Sequence, residues 1–261
     1  MTLSHGEIQT LLAESAYNPA ITPQLEKYVR AQVSAVSSTL VASESPNVQY
    51  CFDANRTLIK LYNFFPHLEG EQGINITALA AFLALLQFPD TDFMALTCLI
   101  PERVQSLEPC ATLVRCADLL ESCQFSEFWP EFRKLGIPEY GARDGELTVS
   151  TDRKLLSNAV NGSTASDQIR SNMIKMLART YRTAPLSLVL GALDLKCPDS
   201  LTAFGSKVDG GIVEKVENDT VTFVASADNT KRVGSSFKEG VSYDEVSVMM
   251  AKTQGYHLSG Q

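Results

Sequence analysis

Apolar residues recur at helical spacing along most of the chain, and positions 107–132 show the pattern most clearly. One apolar arc of roughly 140° on a helical wheel contains Cys110, Leu113, Cys116, Ala117, Leu120 and Cys123. A second helix is predicted from Ser126, which is an N-cap residue type. Its apolar face carries Phe128, Trp129 and Phe132. Because two short helices cannot bury both stripes alone, the pattern predicts neighbouring helices before and after them.

The N-terminal part shows the same spacing with recognisable start and stop signals. Ser4 is the predicted N-cap of a first helix, and Thr22 followed by Pro23 predicts the N-cap and first position of a second. A third helix is predicted over about 48–64, ending before Pro66. The sequence therefore predicts three consecutive helices in this part of the chain.

A helix that begins at Thr77 is predicted to lie at the centre of the array. The run 78–86 is apolar on every side, so both of its faces must be covered by other elements. Three segments, 43–47, 70–73 and 136–150, have the composition of loops or insertions.

The pattern changes after Ala165. Helices are predicted over 166–181, with Tyr181 on the inner face, over 185–195 and over 199–208. Strand alternation is confined to about 212–226, where it predicts a hairpin. Three helices followed by a two-stranded hairpin describe a winged helix.

Composition and charge narrow the possible functions. The chain has 261 residues, 44% of them apolar, and a formal charge of −8. The acidic excess lies before Ala165, where 19 acidic and 11 basic residues occur, against 11 of each after it. Non-specific electrostatic binding to the phosphates of nucleic acid is therefore not expected. The N-terminus lacks a signal-peptide pattern and no apolar run approaches ~18 residues, so we expect a cytosolic protein.

No catalytic, cofactor-binding or metal-binding residues are predicted. The sequence contains no phosphate-binding glycine loop, nucleophile elbow or HExxH motif. His5, His67 and His257 lie near predicted helix ends or in the tail, where solvated side chains are expected. The six cysteines form no CxxC pair and stand in helix-like apolar surroundings, so buried thiols are expected, with metal ligation or a disulfide framework as the alternatives. The three in the apolar arc are predicted to resist thiol reagents.

The predicted winged helix raises the alternative of nucleic-acid binding. Its third helix offers Lys207 against Asp199 and Asp209, although a groove-binding helix needs several cationic side chains. Direct contact with nucleic acid is therefore not expected, and an RNA-binding module remains the second hypothesis.

Two segments are candidate protein contacts. In the hairpin, Val213, Val221 and Phe223 alternate with polar residues, so they either close the core or face a partner that adds a strand.

The second segment is a last helix, predicted from Ser242 over 242–253. Tyr243, Val246 and Met250 form its apolar stripe. This helix either packs on its own winged helix or joins helices of neighbouring subunits.

Five blocks carry a family resemblance. They are YNP at 17–19, LEKYV at 25–29, ANRTLIKLYNFFP at 54–66, PDTDFMALTCLI at 89–100 and ADLLESCQFSEFWPEF at 117–132. In this order they resemble the subunit K family of the eukaryotic translation initiation factor 3 complex. The resemblance implies an architecture shared with small subunits of the proteasome lid and the COP9 signalosome, which remain alternative assignments.

The resemblance implies a mainly α fold of PCI-like architecture, with a HEAT-like helical-repeat array over 1–164, a winged helix over 165–241 and a C-terminal helix and tail over 242–261. It also implies a non-catalytic scaffold without cofactor that places partner subunits on the small ribosomal subunit. The implied direct partner is subunit l of the same complex.

Overall fold

A computed structural model gives the fold of most of the chain. The described residues are 4–37, 48–139, 150–208, 211–217, 219–230 and 243–256. Within them the chain is mainly helical with one small sheet, which confirms the predicted fold class. The predicted loop 43–47 and positions 140–149 of the predicted loop 136–150 lie outside the described residues.

Most of the helices are joined by short connections, and the longer ones are 38–51, 135–150 and 224–242. They are α1 His5–Ser15, α2 Thr22–Ser37, α3 Phe52–Phe64, α4 Pro66–Leu85, α5 Asp92–Thr97, α6 Glu102–Gln105, α7 Cys110–Glu121, α8 Phe125–Lys134, α9 Thr151–Asn161, α10 Ser163–Thr180, α11 Leu186–Leu193, α12 Pro198–Lys207 and α13 Tyr243–Tyr256. The strands are β1 Thr183–Pro185, β2 Val213–Glu217 and β3 Thr220–Phe223.

The first two helices begin differently. Ser4 caps α1 as predicted, since its hydroxyl accepts from the Glu7 N–H while the Glu7 carboxylate accepts from the Ser4 N–H. The prediction of Thr22 as the N-cap of α2 is wrong. A 3₁₀ turn capped by Asn18 runs directly into α2, so Thr22 already has helical angles. Its buried hydroxyl has no hydrogen-bond partner among the described residues.

The fourth helix is longer than predicted. As predicted, α3 ends before Pro66, at Phe64. Pro66 is already the first residue of α4, so the start predicted at Thr77 is wrong. The chain instead kinks at Gly70, whose φ of 49° and ψ of −167° are accessible to glycine at little cost. Two helical segments therefore meet at the non-helical Gly70, so the break predicted from composition is confirmed there, but as a kink and not as a loop over 70–73.

The centre of the helical array is α4. Every residue of 78–86 is buried, and the helix packs against α2, α3, α5, α7 and α9. A helix surrounded in this way has no face for polar residues, which confirms the prediction from its uniformly apolar run.

An ion pair joins α9 to α2. Arg30 donates to both carboxylate oxygens of Asp152, over 2.7 and 3.0 Å, and the Asp152 side chain is only 6% exposed. Bidentate geometry of this kind holds both partners in a fixed orientation. The first turn of α9 is therefore attached to the middle of α2.

The predicted apolar arc forms α7, with one exception. Five residues of the arc are buried, namely Cys110, Leu113, Cys116, Ala117 and Leu120, whereas Cys123 is exposed. The helix ends at Glu121, and Cys123 adopts a left-handed conformation with φ of 58°. The N–H groups of Cys123 and Gln124 donate to the carbonyls of Leu120 and Leu119, which is a Schellman motif. The prediction of a buried Cys123 is wrong because that residue has left the helix.

The next helix begins two residues earlier than predicted. Gln124, not Ser126, is the N-cap of α8, and it makes no side-chain capping bond. Phe128, Trp129 and Phe132 are buried as predicted.

After α10 the chain forms β1, then α11 and α12, and then β2 and β3. The three strands make an antiparallel sheet of order β1-β3-β2. The hairpin of β2 and β3 was predicted, whereas β1 was not. A three-residue strand ending in Pro185 is too short to show alternation.

The prediction that Tyr181 lies on the inner face of α10 is wrong, since its side chain is 47% exposed. The helix ends at Thr180, and Tyr181 has extended backbone angles.

Candidate protein-contact surfaces

The hairpin residues predicted as candidate contacts lie mainly inside the molecule. Val221 and Phe223 are fully buried on the central strand β3, which packs against α11. Val213 is half-buried, and its Cγ2 atom lies 2.8 Å from the place where a Cβ at Gly205 would stand. The core alternative is therefore correct for Val221 and Phe223, and a partner cannot reach either side chain.

The edge of the sheet is protected in two ways. The pairing of β2 with β3 shifts register between Val213 and Lys215. Lys215 forms an ion pair with Glu217 over 3.0 Å, and Glu214 forms one with Arg182 over 2.7 Å. Bulges and charged side chains are the usual means by which sheet edges resist added strands. These features argue against strand addition at β2.

The C-terminal helix α13 presents apolar side chains to solvent. The apolar stripe residues Tyr243, Val246 and Met250 are between 40% and 86% exposed, and the adjacent Val248 and Met249 fall in the same range. Ser242 lies outside the described residues, so the predicted capping box stays a prediction.

A polar junction joins α8 to the end of α11. The Trp129 indole N–H donates to the Ala192 carbonyl over 2.8 Å, although the two residues are 63 apart in sequence. Arg170 of α10 lies over the same indole, its Cζ atom 4.9 Å from the ring centroid, and its Nε donates to the Leu193 carbonyl over 2.8 Å. These bonds satisfy two carbonyls that the end of α11 leaves without helical partners.

Charge completes this junction. Asp194 follows α11 with φ of 53°, and its carboxylate forms ion pairs with Arg133 of α8 and, over 3.8 Å, with Arg170. The backbone closes α11 through the Asp194 and Leu195 N–H groups, which donate to Gly191 and Leu190. Helices from the predicted helical array and the predicted winged helix are thus held together by packing, hydrogen bonds and ion pairs at one place.

Beside this junction lies a cavity of about 390 Å³, which we call the junction groove. Its floor includes the buried residues Phe125, Leu177 and Ala192. The sequence pattern did not identify this groove, because its walls come from α8, α10 and α11, which are brought together only by folding.

The rim of the junction groove combines apolar residues, the neutral polar residues Gln124, Ser126 and Thr180, and one acid. Leu188 and Tyr181 are 49% and 47% exposed. Cys123 and Glu127 also line the groove and are exposed. Glu127 is the one charged residue among the described lining residues, and it forms no ion pair with another described residue. A mouth of this composition can receive an apolar side chain next to a positive charge.

The cysteines differ in reactivity according to burial. Burial raises the pKa of the Cys110 and Cys116 thiols to about 12, and nearby Glu108 and Glu131 contribute to the respective shifts. Both therefore remain thiols at neutral pH and are poor nucleophiles. The expectation of buried thiols is wrong for Cys98 and Cys197, which are exposed. At the start of α12, the Ser200 hydroxyl and N–H lower the pKa of the Cys197 thiol.

Other chemical groups are sparse in the described parts of the chain. Those parts contain no cluster of three or more His, Cys, Asp or Glu side chains that could hold a metal ion. His5 shares a 3.2 Å hydrogen bond with the Tyr28 hydroxyl, while His67 stands edge-on to Phe65. His257 lies outside the described residues. None of the described helices combines the length and apolar character needed to cross a bilayer.

The third helix of the winged helix is not basic. Among the described side chains of α12, the exposed ones include Asp199, Thr202, Ala203 and Ser206. Nucleic-acid readout by such a helix depends on Arg, Lys or amide side chains that reach phosphates and base edges. The surface of α12 therefore favours the expectation that direct nucleic-acid contact is not its role.

Comparison with known proteins agrees with the sequence blocks. The chain is similar to eukaryotic translation initiation factor 3 subunit K of Anopheles gambiae, with 29% identity over 239 residues that cover 90% of this chain and 88% of that protein. It is 26% identical over 254 residues to subunit K of Bombyx mori, which is 96% of each chain. Subunit K of Drosophila erecta is 30% identical over 179 residues, covering 67% of this chain and 72% of that protein. No protein-family model matches the chain. The similarity extends over most of both chains, and this protein belongs to the eukaryotic translation initiation factor 3 subunit K family.

Proposed function

We propose that this chain is a non-catalytic scaffold subunit of the eukaryotic translation initiation factor 3 complex, which places partner subunits on the small ribosomal subunit in the cytoplasm. The observation that carries the proposal is its similarity to subunit K proteins along nearly their whole length. A scaffold holds its partners at fixed relative positions, so it needs a rigid shape and accessible contact surfaces. In this proposal the junction provides the rigid shape and α13 provides a contact surface.

The fixed shape comes from the joint between the two proposed units, 1–164 and 165–241. Trp129 and Arg133 of the first unit contact Ala192 and Asp194 of the second. The arginine Arg170 lies over Trp129 and also contacts the end of α11. Because apolar packing, hydrogen bonds and ion pairs coincide there, rotation of one unit on the other would break several contacts together. We therefore propose that the two units move as one body.

The proposed contact element is the third unit, 242–261, through α13. Its exposed Tyr243, Val246 and Met250 form an apolar stripe on a helix of 14 residues. Isolated helices of about this length are marginal in water, so docking on a partner would stabilise α13. Methionine adapts its shape to uneven surfaces, which suits a helix that packs against more than one chain. We propose subunit l as the principal partner.

Affinity purification of the tagged chain from cytosol tests the assignment. Initiation factor 3 subunits and small-subunit ribosomal proteins are the expected co-purifying proteins. Recovery of proteasome-lid or signalosome subunits in their place would overturn the proposed function.

Truncation after Gly240 tests the role of α13. We expect the shortened chain to keep its melting temperature, because the apolar stripe of α13 is exposed, and to lose subunit l in a pull-down. A fall of several degrees in the melting temperature would assign α13 to the fold of its own chain. Retention of subunit l by the shortened chain would also contradict the proposal.

A further inference from the structure

The junction groove is a second accessible surface, separate from α13. Its apolar floor is continuous with the molecular core, while Leu188 and Tyr181 at its rim stay about half exposed. Large apolar side chains that gather at a concave site are typical of places where another molecule binds. A single exposed leucine on a flat surface would not carry the same meaning.

The shape of the groove favours a protein segment over a small ligand. Its volume of about 390 Å³ is at the lower end for small-molecule pockets, which are enclosed and bury most of their ligand. Here the rim residues Leu188, Tyr181 and Cys123 remain open to solvent. A segment that inserts one or two side chains and continues across the surface matches such an opening.

Charge defines the chemistry of that segment. Glu127 stands at the rim without an ion pair among the described residues, and it is the one charged residue of the described lining. Its carboxylate attracts a cationic partner group and selects against an acidic one. The partner segment therefore needs a lysine or arginine beside a large apolar residue.

The walls of the groove are set before binding. Phe125 and Glu127 belong to α8, Leu188 and Ala192 to α11, and these helices are joined by the hydrogen bond from Trp129 to Ala192. A rigid groove loses little conformational entropy when it is filled, which favours affinity.

We propose that the junction groove docks a segment of another subunit of the initiation factor 3 complex in which a lysine or arginine stands beside a large apolar residue. The segment inserts its apolar side chain between Leu188 and Tyr181 and places the cationic side chain beside Glu127. The inference rests on the proposed function for the identity of the assembly, and it adds a contact that is independent of α13.

The test measures binding of the purified full-length chain to initiation factor 3 complex from which subunit K has been removed. Leu188→Asp introduces a charge into the apolar mouth, and Glu127→Lys reverses the charge at its rim. Each is expected to weaken binding on the order of tenfold. Raising the salt concentration should weaken the wild-type chain more than the Glu127→Lys variant.

Matched controls make the same changes at exposed sites outside the groove. Met94→Asp and Glu121→Lys should bind like the wild-type chain, since Met94 and Glu121 are exposed and line no part of it. All four variants should melt at the wild-type temperature. Equal binding of the groove variants and the controls would overturn the inference. Failure of the wild-type chain itself to bind would overturn the proposed function instead.

Thiol labelling gives a second readout that needs no variant. Cys123 lines the groove, whereas the exposed Cys98 and Cys197 do not and serve as references. Maleimide should modify Cys123 readily in the free chain and much more slowly in the reconstituted complex. Unchanged labelling of Cys123 would contradict docking there. A self-associating chain whose dimer is lost in Leu188→Asp would show that a second copy, not another subunit, fills the groove.

Discussion

Replacing Trp129 with alanine should destabilise the protein strongly, because this side chain belongs to both the core and the junction. The indole is 3% exposed and stands edge-on to Phe128 and Phe132, with ring centroids 5.2 and 6.2 Å apart. Its N–H is bonded to Ala192, and its face is covered by Arg170. Truncation removes all of these contacts and leaves a cavity.

The expected loss in the free energy of unfolding is about 3–5 kcal/mol, the range for removal of a buried large aromatic side chain. That figure includes the hydrogen bond, which contributes about 1 kcal/mol, and the cation–π contact, which contributes about 0.5–2 kcal/mol. Trp129→Phe separates the contribution of the hydrogen bond from that of the buried apolar volume. Most of the apolar volume remains, but the Ala192 carbonyl loses its donor, so the loss should be about 1–2 kcal/mol.

Urea unfolding followed by circular dichroism measures both variants against the wild-type chain. Phe64→Ala is a suitable control, since Phe64 is exposed and should cost less than about 1 kcal/mol. Trp129→Ala with a wild-type midpoint would place the indole outside the core and refute the junction. The order Ala, then Phe, then wild type in rising stability is the specific expectation.

Two further predictions concern buried charges and thiols. Arg30→Met should cost about 2–3 kcal/mol, because it leaves the Asp152 carboxylate buried and unpaired, and Arg30→Met combined with Asp152→Asn should recover part of that loss in the same urea assay. In native labelling at pH 8, Cys123 should react while Cys110 and Cys116 react only after unfolding. Burial raises the pKa of those two thiols to about 12, so the folded state holds their protons more tightly than the unfolded state does. Their contribution to the free energy of unfolding is therefore present below the unfolded pKa and is lost as the pH rises from about 9 towards 12. Unfolding curves at alkaline pH would detect this loss.

The interior of the helical array could be predicted from sequence because periodicity reports burial directly. The uniformly apolar run 78–86 is fully buried in α4, and the stripes of α7 and α8 face the core as expected. In each case the pattern extends over two or more turns, so one misplaced residue cannot change the assigned face.

Predictions failed mainly where helices end. Cys123 and Tyr181 both continue the apolar spacing of the preceding helix, yet each lies past its last helical residue and is exposed. Thr22 has the side chain of an N-cap, but the preceding 3₁₀ turn removes the need for one. A helical wheel assumes that the helix continues, and local backbone geometry decides whether it does.

The junction and the groove were missed for a different reason. Trp129 was assigned to the core from its spacing alone, which says nothing about an acceptor 63 residues away. Strand β1 likewise forms only by pairing with β3, where Thr183 and Ala184 lie opposite Thr222 and Val221. Contacts of this range depend on how elements pack, and a local pattern carries no information about them.

Two left-handed residues show how the backbone itself forms the proposed contact surface. Cys123 and Asp194 are non-glycine residues with φ of 58° and 53°, and each closes a helix through Schellman hydrogen bonds. Glycine would adopt this conformation more readily, and a residue with a side chain is destabilised there by about 1–2 kcal/mol. At Asp194 ion pairs of its carboxylate with Arg133 and Arg170 offset this destabilisation. At Cys123 the described contacts show no such partner, and its side chain lines the junction groove instead. One left-handed cap thus fixes the joint between the proposed units, while the other opens onto the surface that this joint creates.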